Sequence, residues 1–584
     1  MCLRSLPPSL GYLTNLLTLC LDECVLRDAS VIGELKRLEV LSFRRSMIEE
    51  LPREIAHLTG LKLLDLSDCD KLKVIPANVI SRLSLLEELY MLESFGQWEL
   101  QGLNSSNNAS LAELKNLSRL TALEIDVPDV KMLPKDLFSN KLERYDIVIG
   151  KKRIRFNEYL SSRRLRIRLN TDIHLDHGVD LLLKKAEVLY LDNVKGIKSI
   201  LYDMDRKGFQ RLKHLDIENS DDIQYIINST VQVPSLNVFP ILESLSLNNL
   251  VSLEKICYGR LTTGPFTKLR ILKVGRCNRL KSLFSFSMVR NLSQLQEMTV
   301  EYCQNMEEIV IDQSGVGEDN IEVAEFSQLR SLTLGALPAL KSFCLKVKES
   351  ASDDGGSNEI VLEDDVHNPR PLFEKMDLKY LFTTSFVKSL LRLKTLWITD
   401  CGFMERIVLT EEFAEEERLD KIIFSDLENL TLRSLSNLTS FCDGHFIEFC
   451  SLIDLQIDDC PVFKTFVSNR LSQSLFDEKV SFPNLEELSV KSIGCQDLKY
   501  LFTTSFVKSL LRLKRLMERI VLTEEFAEEE RLNKIIFSDL ENLTLFNLPN
   551  LTSFCDRLSG SLFDEKVHGK DSSHRRIRRR RETE

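Results

Sequence analysis

Apolar residues recur along this chain in one short phrase. It reads LTNLLTLCLDECVL at 13–26, LKRLEVLSFRRSMI at 35–48 and LTGLKLLDLSDCDKL at 58–72. It returns as LKHLDIENS (212–220), LESLSLNNL (242–250), LRILKVGRCNRL (269–280), LQEMTVEYCQNM (295–306) and LRSLTLGAL (329–337). Further copies are LKTLWITDCGFM (393–404), LENLTLRSL (427–435), LIDLQIDDCPVF (452–463), LEELSVKSI (485–493) and LENLTLFNL (540–548). The shared frame is LxxLxL, then a position often held by Asn or Cys, then a further apolar residue. Within LxL the apolar residues alternate with period two, so each phrase predicts a short strand with its leucines on one face. About eighteen strands are expected in this frame.

A phrase of this kind, repeated at 20–29 residues, is the leucine-rich repeat. One copy cannot bury its own apolar face, so copies must stack. The predicted fold is an α/β repeat, a leucine-rich-repeat solenoid (horseshoe) with a parallel inner β-sheet and a helical or irregular outer face. Residues 1–135 hold regular repeats with LP steps such as EELPREIAHL (49–58), and the N-terminal cap is expected to be missing. Residues 136–205 are irregular and carry a basic strip, with strand-like runs at RLRIRLN (164–170) and AEVLYLDN (186–193). Cysteine-type repeats fill 206–345. Residues 346–375 lose the frame and are acidic and rich in Ser, Asp and Gly, which predicts a flexible insertion. Repeats resume over 376–567, and 568–584 is expected to be a disordered basic tail.

The stretch DLKYLFTTSFVKSLLRLK occurs unchanged at 377–394 and 497–514. MERIVLTEEFAEEERL follows both copies, but the second lacks Trp397 to Phe403, the strand-forming half of its repeat. Without it, Phe506, Leu510, Leu513, Met517 and Ile520 fall at helical spacing. A longer helix over 505–532 is expected there, interrupting the sheet near residue 515.

Composition narrows the class. The chain has 584 residues, 43% hydrophobic and 28% charged, with net charge −11. That balance argues against general binding to nucleic acid or to a membrane surface. No apolar run reaches the length of a membrane span. The first residues have no charged segment leading into an apolar core, so no secretory signal is expected. Of fourteen cysteines, Cys24, Cys69, Cys277, Cys303, Cys401 and Cys460 fall at the same place in the repeat. That regularity predicts buried structural thiols in a reducing compartment.

Several stretches resemble the repeat arm of plant coiled-coil nucleotide-binding leucine-rich-repeat disease resistance proteins. They include IEELPREIAHLTGLKLLDLSDCDKLKVIP (48–76), LSRLTALEIDVPD (117–129) and GFQRLKHLDIENSDDIQYIINS (208–229). The resemblance implies the protein-recognition and autoregulatory arm of an intracellular immune receptor. Its partners would be proteins: a pathogen effector, a guarded host protein or a nucleotide-binding domain. It implies a cytoplasmic location, or a nuclear one if the terminal RRIRRRR is a localisation signal. The family's phosphate loop, GxxxxGK[ST], is not found in this sequence, so no cofactor is expected. Rival readings are a stand-alone repeat scaffold, a non-functional truncated fragment, and a secreted receptor ectodomain, whose repeats would read LxGxIP.

No catalytic or metal constellation emerges, and an enzyme is not expected. The candidate protein-binding residues are those flanking the inward leucines of the strands: Arg44, Asp65, Tyr90, Glu124, His214, Asp216, Lys273, Trp397, Thr399, Arg433, Gln456 and Lys491. KKRIRFNEYLSSRRLRIR (151–168) is sharply basic within an acidic chain. Arg166 and Arg168 there share a strand face, and they are expected to dock an acidic partner surface. Asn429, Asn437, Asn542 and Asn550 begin N-x-S/T phrases but belong to the repeat frame.

Overall fold

The structure is a computed structural model. It describes residues 5–100, 107–134, 137–138, 141–150, 161–168, 179–204, 208–228, 238–259, 264–311, 326–344, 379–409, 421–443, 446–468, 474–493, 499–503, 542–546, 548 and 553–555. The chain divides into two units, Met1–Cys277 and Asn278–Glu584.

In the first unit the described inner strands are Thr18–Cys20, Val40–Ser42, Leu63–Asp65, Glu88–Met91, Ala122–Val127, Arg144–Gly150, Arg163–Arg168, Val188–Asp192, His214–Glu218, Ser244–Asn248 and Ile271–Gly275. Each pairs in parallel with the next in chain order. In the second unit the series is Glu297–Glu301, Ser331–Gly335, Thr395–Thr399, Asn429–Arg433, Asp454–Asp458, Glu487–Lys491 and Asn542–Phe546, again parallel and consecutive. These are leucine-rich-repeat stacks. Every phrase quoted above forms a strand.

Register explains why. Leu165, Leu189, Leu215, Leu245 and Leu272 lie side by side on neighbouring strands and are buried. Removing a leucine side chain from water is worth roughly 1.5–3 kcal/mol, and a one-residue slip would turn the whole row outward.

The turn after most of these strands is equally regular. It places one residue in the left-handed region, among them Arg45, Asp68, Asn219, Arg276, Tyr302, Ala336, Asp400 and Asp459. The next residue then points inward. At several cysteines in this place the thiol meets a backbone carbonyl of the preceding described repeat: Cys69 Sγ lies 3.0 Å from Phe43 O, and Cys401 Sγ lies 3.9 Å from Leu334 O. Ser46 does the same with its hydroxyl, donating to Leu21 O.

The outer side begins with 3-10 turns, including Ser30–Glu34, Arg53–His57 and Leu111–Asn116. Pro52 precedes the second with φ −60°, which accounts for the LP step. In the second unit the outer side also carries short parallel strands, a feature the repeat frame does not announce. Tyr380–Thr383, Arg406–Leu409, Ser440–Asp443 and Thr465–Ser468 form one such sheet. Beneath these strands runs a phenylalanine ladder, with Phe441 4.9 Å from Phe466, Phe466 5.3 Å from Phe476, and Phe476 5.6 Å from Phe502.

Two differences from the sequence reading matter. The strand Arg144–Gly150 (RYDIVIG) was not anticipated, because it lacks the spaced leucines of the frame. The second is a correction. The sheet is not interrupted after the partial duplicate, because Glu487–Lys491 pairs directly and in register with Asn542–Phe546. On the outer side Tyr500–Phe502 likewise pairs directly with Ser553–Cys555. In the first copy Arg406–Leu409 stands between the corresponding strands. Losing the strand-forming residues removed one rung, and the next rung closed onto the stack. The predicted helix over 505–532, the acidic insertion 346–375, the basic tail and residues 151–160 lie outside the described residues.

Candidate protein-recognition surface

Residues between the inward leucines project from the opposite, concave face of each inner sheet. In the first unit one row runs Asp65, Tyr90, Glu124, Asp146, Arg164, Val188, His214, Ser244, Ile271. A second runs Asp126, Val148, Arg166, Tyr190, Asp216, Ser246, Lys273. A third includes Arg168, Asp192 and Glu218. The alternation therefore brings Asp65, Tyr90, Glu124 and His214 into one line, and Arg166, Asp216 and Lys273 into the next. Arg44 is exposed in the turn beyond its strand.

The basic strip is already paired with carboxylates of the neighbouring strands. Asp146, on the unanticipated strand, has a side chain 1% exposed. Its Oδ2 accepts a hydrogen bond from Arg166 Nη2 at 2.6 Å. Arg164 Nε approaches the same oxygen at 2.8 Å without hydrogen-bond alignment. Arg168 Nε lies 3.1 Å from Asp192 Oδ2. Asp192 Oδ1 also accepts from Asn219 Nδ2 at 2.9 Å. Gly150 sits beside Arg168 with φ 110°, and a Cβ there would fall 1.7 Å from Arg168 O. Only glycine fits that close approach. Burial pushes the Asp146 carboxyl up, against the downward pull of Arg166 and Arg164. The arginines therefore do not fully offset the loss of water.

Two carboxylates flank this strip, reached by cations only through longer-range charge, Arg164 and Arg166 at Glu124 and Lys273 at Asp216. Among the described residues Glu124 makes no hydrogen bond or ion pair. Burial, then the charge of Asp146 in register beside it, pushes its carboxyl up. Asp216 is 6% exposed, and its Oδ1 has no hydrogen-bond partner. Burial and the nearby Glu218 raise its carboxyl to about 7. Tyr190, in register beside Asp216, donates its hydroxyl to Glu218 at 2.8 Å. Burial pulls His214 down, towards the neutral imidazole. Tyr90 donates to Glu88, which also meets Arg144 Nη2 at 2.8 Å.

The second unit presents a different surface. Trp397 is 46% exposed, and its in-register neighbours are Thr333 and Thr431. The row continues through Gln456 and Ser489. The indole thus stands above short hydroxyl side chains rather than packed among large ones. The adjoining row holds Thr399, Arg433, Asp458, Lys491 and Phe546. Arg433 is exposed, with Nε 3.7 Å from Asp458 Oδ2. Lys491 is half-buried, and Phe546 is exposed.

Asp146, Asp192 and Tyr190 were not singled out from sequence, yet they set the charge of the face. The signal for Asp146 was the alternation Tyr145, Ile147, Ile149 around it. Elsewhere, an open depression beside the 3-10 turns is lined by Lys36, His57, Ser81 and Arg82. Among the described residues no group of three His, Cys, Asp or Glu side chains is placed to hold a metal. No described helix is long and apolar enough to cross a membrane.

The repeat family described as plant disease resistance protein RPS2-like leucine-rich repeats matches residues 164–304, 242–352 and 373–477, together about half of the chain. Disease resistance protein At4g27190 of Arabidopsis thaliana is 30% identical over 360 residues, covering 59% of this chain and 35% of that protein. Probable disease resistance protein At4g27220 of the same plant is 30% identical over 276 residues, covering 46% of this chain and 29% of that protein. The chain thus spans about a third of the length of the curated relatives it matches. An internalin from Listeria monocytogenes superposes with a TM-score of 0.32 at 17% identity, covering 61% of this chain and 85% of that one. The repeat fold and this kinship indicate a non-catalytic scaffold of the kind that binds proteins. The chain belongs to the plant disease resistance proteins with RPS2-like leucine-rich repeats.

Proposed function

We propose that the chain is the protein-recognition and autoregulatory arm of an intracellular plant immune receptor, working in the cytoplasm. Its inner sheets would bind a pathogen effector or a guarded host protein, and would restrain a nucleotide-binding domain until that ligand arrives. The observation that carries this reading is Trp397, half exposed above Thr333 and Thr431 on the concave face. A rigid aromatic that stands clear of its neighbours is the residue type most enriched among binding hot spots. Kinship with disease resistance proteins supports the defence setting.

The test is coexpression in leaf tissue with the signalling and nucleotide-binding part of a receptor of this family. Co-precipitation and suppression of cell death by the wild-type chain, both lost in Trp397→Ala with Gln456→Ala, are expected. Equal suppression by an unrelated leucine-rich-repeat solenoid, or failure to co-precipitate, would overturn the reading.

A further inference from the structure

We propose that the concave face of the first unit takes a basic segment of a partner protein, one lysine or arginine side chain seated on Asp216 and a second on Glu124. This rests on the reading of that face as protein-binding and specifies the chemistry of what it binds. It is opposite in sign to what the run of arginines at 163–168 suggests.

The cations that make the sequence look basic are held internally, Arg164 and Arg166 at Asp146 and Arg168 at Asp192. Glu124 and Asp216, one on each side of that strand, hold no hydrogen bond or ion pair among the described residues, and are reached only at longer range, Glu124 by Arg164 and Arg166 and Asp216 by Lys273. Asp216 is the sharper case, because it projects on the outward face of the sheet, is 6% exposed and has an oxygen with no hydrogen-bond partner. A buried carboxylate without a donor is costly, and a charge-assisted hydrogen bond is the strongest way to relieve that cost. The nearby groups do not provide one. Tyr190 gives its hydroxyl to Glu218. Burial favours the uncharged form of His214. Lys273, in the same row, is exposed and two strands away, on the order of 10 Å between backbones. Small Ser246 lies between them in the row. A basic side chain from outside matches the charge of the orphaned carboxylate.

Spacing defines the partner further. Glu124 and Asp216 are separated by four strand steps, on the order of 20 Å. An extended peptide covers that in about six residues.

The experiment uses the full chain and a labelled peptide with two lysines about six residues apart, beside its glutamate counterpart. At low salt the lysine peptide is expected to bind. Asp216→Asn and Glu124→Gln are each expected to weaken it about tenfold, roughly 1.4 kcal/mol. Asp221→Asn makes the same change of charge in the exposed turn beyond the strand and should leave binding unchanged. The proposal is overturned if the lysine peptide fails to bind, if the glutamate peptide binds better, or if Asp221→Asn weakens binding as much as Asp216→Asn. Retention of partner capture through the Trp397 surface, with failure here, would sink this inference alone.

Discussion

Arg166 Nη2 lies 2.6 Å from Asp146 Oδ2, on a carboxylate whose side chain is 1% exposed. The contact joins a strand that reads as basic to one that reads as merely apolar. Burial raises the Asp146 carboxyl despite its two arginines, so removing one should be expensive. Arg166→Leu is expected to cost about 3 kcal/mol at pH 8, because it strips a partner from a buried charge. With less compensation the native carboxyl rises further above its ordinary 3.8. The deficit should therefore shrink as pH falls towards 4 and the group becomes neutral. Chemical denaturation at both pH values checks this. A loss that is the same at pH 4 and pH 8 would mean that Asp146 is not the cause.

Asp216 makes a clean pH prediction. Its carboxyl is raised from 3.8 to about 7 in the folded chain. Between those values the native state binds a proton that the unfolded state has released. Stability therefore falls as pH rises from about 4 to about 7 and levels off above that. Asp216→Asn removes this liability. The variant should match the wild type near pH 4 and exceed it by a few kcal/mol at pH 8, on the order of 1.4 kcal/mol for each pH unit crossed between the two values. Denaturation midpoints across this range decide it, and a wild type that gains stability relative to the variant on raising the pH would refute it.

The strands at His214–Glu218 or Thr395–Thr399 were legible because LxL alternation writes a buried face directly into the chain. Arg144–Gly150 was not, since Tyr145, Ile147 and Ile149 serve where the frame expects leucine. Trp397 was legible as an outward position, but its exposure depends on Thr333 and Thr431, which lie in neighbouring repeats. Charge was the least legible feature. The arginines of 163–168 are adjacent in sequence, whereas their counter-ions Asp146 and Asp192 belong to the strands before and after. Only pairing register brings them together.

The repeat turn holds Ala336 at φ 50°, while its N–H donates to Thr399 O at 2.9 Å. A Cβ in this region costs roughly 1–2 kcal/mol, more than the roughly 0.5–1 kcal/mol that glycine loses in chain entropy. Ala336→Gly should raise the unfolding free energy by about 0.5–1 kcal/mol. An unchanged or lower denaturation midpoint would show that the turn is not strained at this residue.

The structural thiols should be chemically silent. Burial raises Cys69 to about 11 and Cys401 and Cys460 to about 12, while Cys20 is exposed. The thiolate is the reactive form. Iodoacetamide at pH 7.5 should label Cys20 first and reach the other three only with denaturant present. Peptide mass spectrometry reads the order directly. Early labelling of Cys401 or Cys460 in the native chain would contradict their place in the stack.

The rung lost from the duplicate leaves two residues side by side that a full repeat would separate. Lys491 and Phe546 are in register on adjacent parallel strands. Side chains so placed have Cα atoms about 4.8 Å apart, within the roughly 4.4–6.8 Å that a disulfide tolerates. Lys491→Cys with Phe546→Cys should therefore bridge under mild oxidation, giving a faster band on a non-reducing gel. Asp458 is one strand further back in the same row, on the order of 10 Å from Phe546. Asp458→Cys with Phe546→Cys should not bridge. Were the residues after 503 to supply a strand between Glu487–Lys491 and Asn542–Phe546, the first pair would be as distant as the second and neither would close. A bridge in the first pair alone means that the deletion shortened the stack by a whole repeat, leaving Lys491 and Phe546 as neighbours on one continuous face.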